Sequence, residues 1–418
     1  MVKLRKFYVL DAVPGAQRRR LAGVNVYVPE LTGLRGAAII IVVLGHFFQR
    51  IDRFLFEAEQ IKVAELFFTV FATPFTGCTI FFCVSGYSLM LFIVTNKNFH
   101  PAKKICSLIW YTLRRFIVIY PPYFFILVMT GTLLYSFGYV PRGTNSFSAE
   151  PSSITVSLVS SLTLTHTLIF GTFPRLFPPG WFIEVQFQFY LIGPIIWSLY
   201  QKLWNNIARV AFGIFVLMFC TAASLITTSI GPSNMQYSII VFMPYFWLGA
   251  ILADLRSNFG RPFLKGKFCN HPKIGWIAFT AIILTGWSPF GPSELGLFLQ
   301  MMARLVLLFA IFHAASIEHT NFQRVVVNRW LVRAGVTCYS IYLVHLQILQ
   351  ILVPIALSFT NQESFLIVVL FCAFCIMPII FTGSTVFYWL VERPFVAATG
   401  LLSVPGRVSN RTITRGVS

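Results

Sequence analysis

Ten runs of apolar residues, most of them close to the length of a membrane-spanning helix, determine what this chain can fold into. A helix rises about 1.5 Å per residue, so about 20 apolar residues cross a hydrocarbon core about 30 Å thick. The sequence therefore predicts an all-α fold, a multi-pass bundle of about ten transmembrane helices. The runs fall at residues 33–49, 70–95, 116–137, 182–201, 210–230, 236–255, 274–290, 297–317, 336–358 and 364–392.

The composition excludes a water-soluble fold of this size. Of the 418 residues, 57% are hydrophobic and 11% are charged, and the mean hydropathy is +0.76. Soluble domains carry about 25% charged residues, and a single hydrophobic core stops growing beyond about 250–300 residues. Membrane lipids are therefore the expected surroundings of most of the surface.

The net charge of +19 indicates topology rather than nucleic-acid binding. Lys and Arg concentrate in the cytoplasmic loops of membrane proteins. With ten spans, 25 of the 32 Lys and Arg residues fall on the side that carries both termini, and five fall on the other. We expect both termini to be cytoplasmic. The expected membrane is a bacterial inner (plasma) membrane, with a eukaryotic membrane as the alternative. No basic and aromatic nucleic-acid motif occurs, so no nucleic-acid partner is expected.

The predicted organisation is one membrane domain between two tails. Residues 1–30 form a basic cytoplasmic tail, residues 31–396 the transmembrane domain, and residues 397–418 a second cytoplasmic tail. No small-residue cleavage site follows a short apolar core, so the first span is expected to be an anchor rather than a signal peptide. The Ser/Thr-rich stretch 154–171 predicts a re-entrant or interfacial segment instead of a span.

Cysteine spacing gives no indication of a metal centre. Eight cysteines are present, and Cys372 and Cys375 form a C-x-x-C inside an apolar run. Buried thiols in such a run pack as small hydrophobic side chains. No zinc-type spacing occurs, and no metal is expected.

Ionisable side chains within the predicted spans mark candidate sites. Each costs roughly 2.5–3.5 kcal/mol at the centre of a span, so each needs a structural or functional reason. A structural contact is the first interpretation of His345, and interhelical pairing that of Arg304 and His313, which lie on opposite faces of one helix. The candidates are Arg35, His46, Glu184, Arg304, His313, His345 and Glu392.

Arg35 and His46 stand out because they share one helix face. Eleven residues turn a helix by about 1100°, roughly 20° past three full turns, and advance it by about 16 Å. The planar fork of Arg suits a phosphate, and His is a general base near neutral pH. The structural alternative is that Arg35 reaches lipid headgroups and that His46 hydrogen-bonds a neighbouring helix.

Seven short segments follow one another in an order that resembles a known family. They are ELTGLRG with Arg35 and His46 in an R-x(10)-H spacing, IFFCVSGYSLM (80–90), RRFIVIYPPY (114–123), LTLTHTLIF with His166, GWFIEVQFQFYLIGP (180–194), SIYLVH (340–345) and WLVERPF (389–395). Together they resemble the motifs of the acyltransferase-3 family of integral-membrane O-acyltransferases over about residues 31–395.

The resemblance implies transfer of an acyl group from cytoplasmic acyl-CoA to a hydroxyl of a carbohydrate or lipid-linked glycan. Acetyl-CoA is the commonest donor in the family. By resemblance, His46 would be the general base, Arg35 would hold the donor phosphates, and Arg114 and Arg115 would face the coenzyme at the cytoplasmic mouth.

Four residues are expected on the substrate side, and the resembling motif shows one departure. Ser85, Trp181, His166 and Glu184 are the expected substrate contacts. Many members of the family carry Glu five residues after the Trp, where this chain has Gln186. Glu184 and that position lie about 200° apart on a helix, so which of the two supports His46 stays open.

Two other classes of protein compete with an enzyme. Intramembrane Arg, His and Glu also mark the proton relays of transporters and exporters, although no inverted repeat is apparent. A non-catalytic scaffold would not need Arg35 and His46 on one face. The sequence therefore favours the acyltransferase, with a transporter as the alternative.

Overall fold

The computed structural model describes residues 28–55, 73–96, 99, 105–137, 153–203, 205–260, 266, 270–287, 293–359 and 365–399. Within these ranges the backbone is helical and contains no strand, so the predicted all-α class is confirmed. Most of both predicted tails lies outside the described residues, and so do parts of the spans predicted at 70–95, 274–290 and 364–392.

Fifteen α-helices follow one another along the described part of the chain. Their bounds are α1 Pro29–Leu55, α2 Pro74–Thr95, α3 Ile105–Phe137, α4 Ile154–Leu162, α5 His166–Phe170, α6 Gly180–Tyr200, α7 Asn206–Ile230, α8 Ile239–Phe259, α9 Ile274–Leu284, α10 Glu294–Ser316, α11 Asn321–Val326, α12 Arg329–Val336, α13 Cys338–Phe359, α14 Phe365–Phe387 and α15 Arg393–Thr399. A π-helical turn, Tyr388–Glu392, joins the last two.

Nine helical spans in the described ranges are long and apolar enough to cross a membrane. They correspond to nine of the ten predicted runs. The tenth run forms α9, an apolar helix of 11 residues that ends in a 3₁₀ turn, Thr285–Trp287. The chain is therefore an integral membrane protein with the predicted bundle of about ten helices.

The end of α9 explains its short length and gives Arg304 a partner. The carbonyl oxygen of Thr285 accepts hydrogen bonds from Gln300 Nε2 at 2.7 Å and from Arg304 Nη2 at 3.0 Å. Arg304 Nε also donates to Thr285 Oγ1 at 3.1 Å. A cation at a helix C-terminus satisfies carbonyls and opposes the negative end of the dipole, so the interhelical interpretation of Arg304 agrees with the structure.

Helix α3 begins 11 residues before the apolar run that predicted it, at Ile105 instead of residue 116. The added turns are held by aromatic and cationic contacts rather than by hydrophobicity. The guanidinium of Arg115 lies 5.2 Å from the ring centroids of both Tyr111 and Tyr190. Hydropathy does not register such contacts, so the predicted boundary was too late.

The stretch predicted as re-entrant or interfacial forms the short helices α4 and α5. The chain turns between them at Leu164, whose φ is 58°. Tyr120 Oη donates to the carbonyl oxygen of Leu162 at 2.9 Å, and Tyr123 Oη donates to that of Ser161 at 3.3 Å. These bonds fasten the segment to α3, and the stretch is not a span; its depth in the bilayer stays a prediction.

Glycines allow α1 to lie directly against α12. A Cβ atom on Gly36 would come within 2.0 Å of the carbonyl oxygen of Leu331, and one on Gly335 within 1.8 Å of that of Thr32. Neither position has space for a side chain. Small residues at such crossings let membrane helices pack backbone to backbone, and this contact fixes the helix that carries Arg35 and His46.

A buried ion pair joins α7 to α8. Arg209 Nε and Nη2 donate to the two carboxylate oxygens of Asp254, each at 3.0 Å, and both side chains are almost fully buried. Gln201 Nε2 donates to the same carboxylate at 3.0 Å. Multiple hydrogen bonds are what a buried carboxylate requires, so this cluster is structural.

Candidate active site

A cavity of about 320 Å³ lies between α1, α2, α3, α6, α12, α13 and the π-helical turn. It is found at the end of the bundle where α1 and α13 begin, because Val28, Leu31 and Cys338 contribute to its wall. The lining is mainly apolar, but it contains two guanidinium groups, those of Arg35 and Arg115. Ligand sites commonly combine apolar walls with a few polar groups.

Arg35 is directed into this cavity by the packing of its own helix. Gly33 and Gly36 on either side of it allow the close contact with α11 and α12. The Arg35 side chain then points to α2, where its Nη2 donates to Ser88 Oγ at 3.0 Å. Ser88 also lines the cavity, and it lies three residues after the predicted Ser85, on the same helix face.

The two predicted arginines of α3 separate. Arg115 lines the cavity and stacks on tyrosine rings, as described above. Arg114 lies over the ring of Trp110, with 5.3 Å from its Cζ to the centroid, and is not among the residues that line the cavity. Adjacent positions on a helix differ by about 100° in direction, which accounts for the difference.

Ser85 and Gln186 meet across the cavity wall. Ser85 Oγ donates to Gln186 Oε1 at 3.0 Å, and both residues line the cavity. The structure therefore brings the predicted Ser85 together with Arg35 and Arg115. Gln186, at the position where the resembling family often has Glu, is one of the α6 side chains that line this space, and Ser85 is its hydrogen-bond partner there.

Glu184 faces a different part of the molecule. It is fully buried, and its Oε2 accepts hydrogen bonds from the backbone N of Thr167 at 2.9 Å and from Thr167 Oγ1 at 2.5 Å. These bonds attach α5 to the start of α6. Glu184 is not one of the described residues that line the cavity.

His166 and Trp181 are also placed away from the cavity lining. His166 is buried, its Nδ1 lies 3.2 Å from the carbonyl oxygen of Thr172, and burial lowers its pKa. Trp181 packs in an aromatic cluster with Phe75 and Phe242, whose ring centroids lie 6.4 Å and 5.3 Å from its own. The backbone of His166 hydrogen-bonds the Glu184 carboxylate, so the structure brings these two predicted residues together outside the cavity lining.

His46 lies beyond the far end of the cavity and contacts a second histidine. Its Nδ1 is 2.9 Å from Nε2 of His345, a residue of α13 that is fully buried. The cavity wall includes Tyr342, whose ring centroid is 5.9 Å from that of His345. Within the described residues, Tyr342 and His345 thus connect the cavity to His46, which does not itself line it.

Sequence reasoning missed several polar residues of the cavity, Ser88 and Tyr190 among them, and the role of Glu392. Ser88 and Tyr190 line it, and so does Glu392, which accepts a hydrogen bond from Ser340 Oγ at 2.6 Å. Glu392 lies in the π-helical turn, and π-helical turns occur frequently at functional sites. Its position in a predicted span was the signal, because intramembrane carboxylates are functional candidates.

The described ranges contain no cluster of side chains suited to binding a metal ion. No three His, Cys, Asp or Glu side chains among those residues are arranged to hold a metal ion. The polar groups of the cavity are suited instead to an anionic organic ligand, because guanidinium groups bind phosphates through paired hydrogen bonds.

Comparison with known proteins agrees with the resemblance. The chain is 24% identical over 341 residues to the acyltransferase MdmB of Streptomyces mycarofaciens, which covers 78% of this chain and 80% of that protein. No solved structure matches the chain. The model of a family described as an acyltransferase domain, Acyl_transf_3, matches residues 28–402. This integral membrane protein therefore belongs to the acyltransferase-3 family.

Proposed function

We propose that the protein transfers an acyl group, most simply acetyl, from cytoplasmic acyl-CoA to a hydroxyl of a carbohydrate or lipid-linked glycan. The observation that carries the proposal is the cavity that contains both Arg35 and Arg115. Two guanidinium groups in a largely apolar pocket match a donor that combines phosphates with an apolar acyl arm. Membership of the acyltransferase family supports the same class of reaction.

Acyl-CoA binds in this proposal with its phosphates at the arginine end. Arg35 is held by Ser88, and Arg115 by two tyrosine rings, so both forks are oriented before the donor arrives. Such preorganisation reduces the entropy lost on binding. Arg114, on the adjacent face of α3, would add positive charge at the mouth.

The acyl arm extends from the arginines along α1 toward His46. Arg35 and His46 are about 16 Å apart along α1, because they are 11 positions apart in the sequence. Tyr342 forms part of the cavity wall and contacts the ring of His345, next to His46. The thioester must therefore pass Tyr342 to reach the imidazole. Ser85 and Gln186 provide polar contacts beside this path.

The chemistry requires one base and no activation of the donor. His46 takes the proton of the acceptor hydroxyl while the hydroxyl oxygen attacks the thioester carbon. The tetrahedral intermediate then breaks its C–S bond, and the coenzyme thiolate leaves with the proton that His46 returns. General base catalysis of this kind contributes about 10²–10⁴-fold. Glu184, His166 and Trp181 act in this proposal by supporting the α5–α6 region that borders the substrate space.

The test uses purified protein in detergent with radiolabelled acetyl-CoA and a panel of glycans and lipid-linked glycans. We expect label to move to an acceptor. In His46→Ala, the rate of this transfer should fall by about 10²-fold or more. His46→Ala should still bind acetyl-CoA, whereas Arg35→Lys should bind it more weakly, because a point charge does not replace the planar fork.

A matched control is Arg324→Gln, which removes one exposed positive charge from α11 outside the cavity. This variant should bind and transfer as the unmodified protein does. Retained transfer in His46→Ala contradicts the assignment of the base. Accumulation of the glycans in proteoliposomes without transfer of label would favour the transporter instead.

A further inference from the structure

The contact between His46 and His345 is part of a longer chain of hydrogen bonds. His46 Nδ1 and His345 Nε2 are 2.9 Å apart, and the two ring planes are inclined by 30°. On the far side of the second ring, His345 Nδ1 lies 2.9 Å from the carbonyl oxygen of Ile341. The three groups form a chain of two hydrogen bonds that ends at a backbone carbonyl.

The carbonyl oxygen determines the positions of the hydrogens in this chain. A carbonyl oxygen only accepts, so His345 Nδ1 carries the hydrogen of the bond to Ile341. With both rings neutral, His345 Nε2 is then an acceptor, and His46 Nδ1 must donate to it. The remaining nitrogen of His46, Nε2, therefore holds the lone pair, which a general base requires.

We propose that His345 is a positioning residue that holds His46 in the tautomer and ring orientation needed to accept a proton at Nε2. The inference rests on the proposed function, because it assigns a base to the acyl transfer. His345 touches neither acyl-CoA nor acceptor in this arrangement and acts through His46. In each turnover, His46 Nε2 gains the hydroxyl proton while its Nδ1–H remains donated to His345.

The same bond stabilises the charge that the reaction creates. When Nε2 of His46 is protonated, the ring becomes an imidazolium, and hydrogen bonds from charged donors are roughly twice as strong as those between neutral groups. The Ile341 carbonyl keeps His345 in the form that accepts. Loss of the acceptor would let the Nδ1 hydrogen of His46 move to Nε2, which blocks the base.

Two replacements of His345 separate positioning from packing. His345→Leu fills the space with an apolar side chain and removes the acceptor, so kcat should fall by about 10²–10⁴-fold, the range typical of a lost or misoriented general base. His345→Gln retains an acceptor oxygen, Oε1, and should recover a large part of that loss. The KM for acetyl-CoA should be the same in both variants, because the arginine end of the cavity is unchanged.

A spectroscopic readout tests the tautomer without activity. In protein labelled with ¹⁵N-histidine, the two ring nitrogens of His46, assigned by comparison with His46→Ala, should show a protonated Nδ1 and an unprotonated Nε2. His345→Leu should shift the His46 signals toward the other tautomer, and His345→Gln should leave them close to those of the unmodified protein. Thermal unfolding of each variant checks that it folds.

The outcomes for the base and for its positioning are distinguishable. Unchanged kcat in a folded His345→Leu variant, with His46→Ala inactive, overturns the positioning role but leaves His46 as the base. Active His46→Ala overturns the proposed function, whatever the spectra show. If Leu and Gln lower kcat equally and leave the His46 tautomer unaltered, the contact is structural and the inference is wrong.

Discussion

Arg114 and Arg115 differ in the direction of their side chains, and this direction determines which of them lines the cavity. They are adjacent in sequence and equally basic, and the resemblance assigned both to the coenzyme. The structure places Arg115 in the cavity wall and Arg114 over Trp110. Their roles in donor binding should therefore differ in size, even though charge patterning cannot distinguish them.

The first prediction compares Arg115→Gln with Arg114→Gln. Loss of a charge-assisted hydrogen bond removes about 1.5–3 kcal/mol, so Arg115→Gln should raise the Kd for acetyl-CoA by roughly 10- to 100-fold. Arg114→Gln should raise it by less, because its charge acts from a greater distance. Titration calorimetry or a filter-binding titration measures both values.

Repeating the titrations at high salt separates long-range attraction from direct contact. Salt screens attraction over a distance more than a direct contact, so the effect of Arg114→Gln should shrink at high salt and that of Arg115→Gln should persist. Equal effects of the two replacements at every salt concentration would contradict the distinction between the two positions.

At the scale of the residue, the sequence predicted which side chains have suitable chemistry but not which side chains they contact. Arg35, His46 and Ser85 were found from their types and positions, and two of them line the cavity. Glu184 was expected near the substrate, but its carboxylate binds Thr167. His345 was interpreted as structural. Partners 299 residues apart, as His46 and His345 are, depend on how the helices pack, and no local pattern contains that information.

Helix α1 owes its position to the glycines that contact α12. Because Gly36 and Gly335 leave no space for a Cβ atom, α12 and the helix that carries Arg35 are held at the smallest separation that backbones allow. The geometry of the cavity at its arginine end depends on this crossing.

The second prediction is that Gly36→Ala destabilises the protein and weakens donor binding together. The added methyl would lie 2.0 Å from the carbonyl oxygen of Leu331, so the helices must separate, and forced overpacking costs about 1–3 kcal/mol. The melting temperature in detergent should fall, and the Kd for acetyl-CoA should rise.

Gly131→Ala is the matched control, because a Cβ atom there meets nothing within 4 Å. Gly131 lies within α3, where Ala is favoured over Gly by about 1 kcal/mol, so this replacement should leave the melting temperature unchanged or raise it. A Gly36→Ala variant as stable as the control would show that α1 and α12 are not in direct backbone contact.

Helices were predictable where hydrophobicity forms them, and their ends were not. All ten apolar runs correspond to helices, because a run of that length has few alternatives in lipid. The early start of α3 depends on Arg115 and its tyrosines, and the early end of α9 depends on Arg304 and Thr285. Both boundaries are set by side chains that meet across helices.

For the whole molecule, the orientation in the membrane decides whether the site can work. The cavity lies at the end of the bundle where α1 and α13 begin. The proposed donor, acyl-CoA, is cytoplasmic, so the proposal requires this end to face the cytoplasm. The excess of Lys and Arg in the loops on the side of the termini predicts that orientation, and the two arguments are independent, because one uses loop charges and the other the position of the cavity.

The third prediction is that both termini are cytoplasmic. Green fluorescent protein fused after Ser418 should fluoresce, and alkaline phosphatase fused there should be inactive, because the first folds in the bacterial cytoplasm and the second requires export. Fusions in the connection between α13 and α14, at residue 362, should give the opposite pair of results. The second site is the control, since it tests the same chain one span earlier.

Active phosphatase at Ser418 would reverse the bundle and place Arg35 and Arg115 at the outer surface, where no acyl-CoA is available. That result would contradict the donor assignment even if His46 proved essential.

Changing basic loop residues offers a further check, because orientation follows Lys and Arg near the span ends. Replacing Lys103 and Lys104 by Gln should increase the fraction of misoriented chains and reduce transfer in proportion, while the chains that insert correctly keep an unchanged KM for acetyl-CoA.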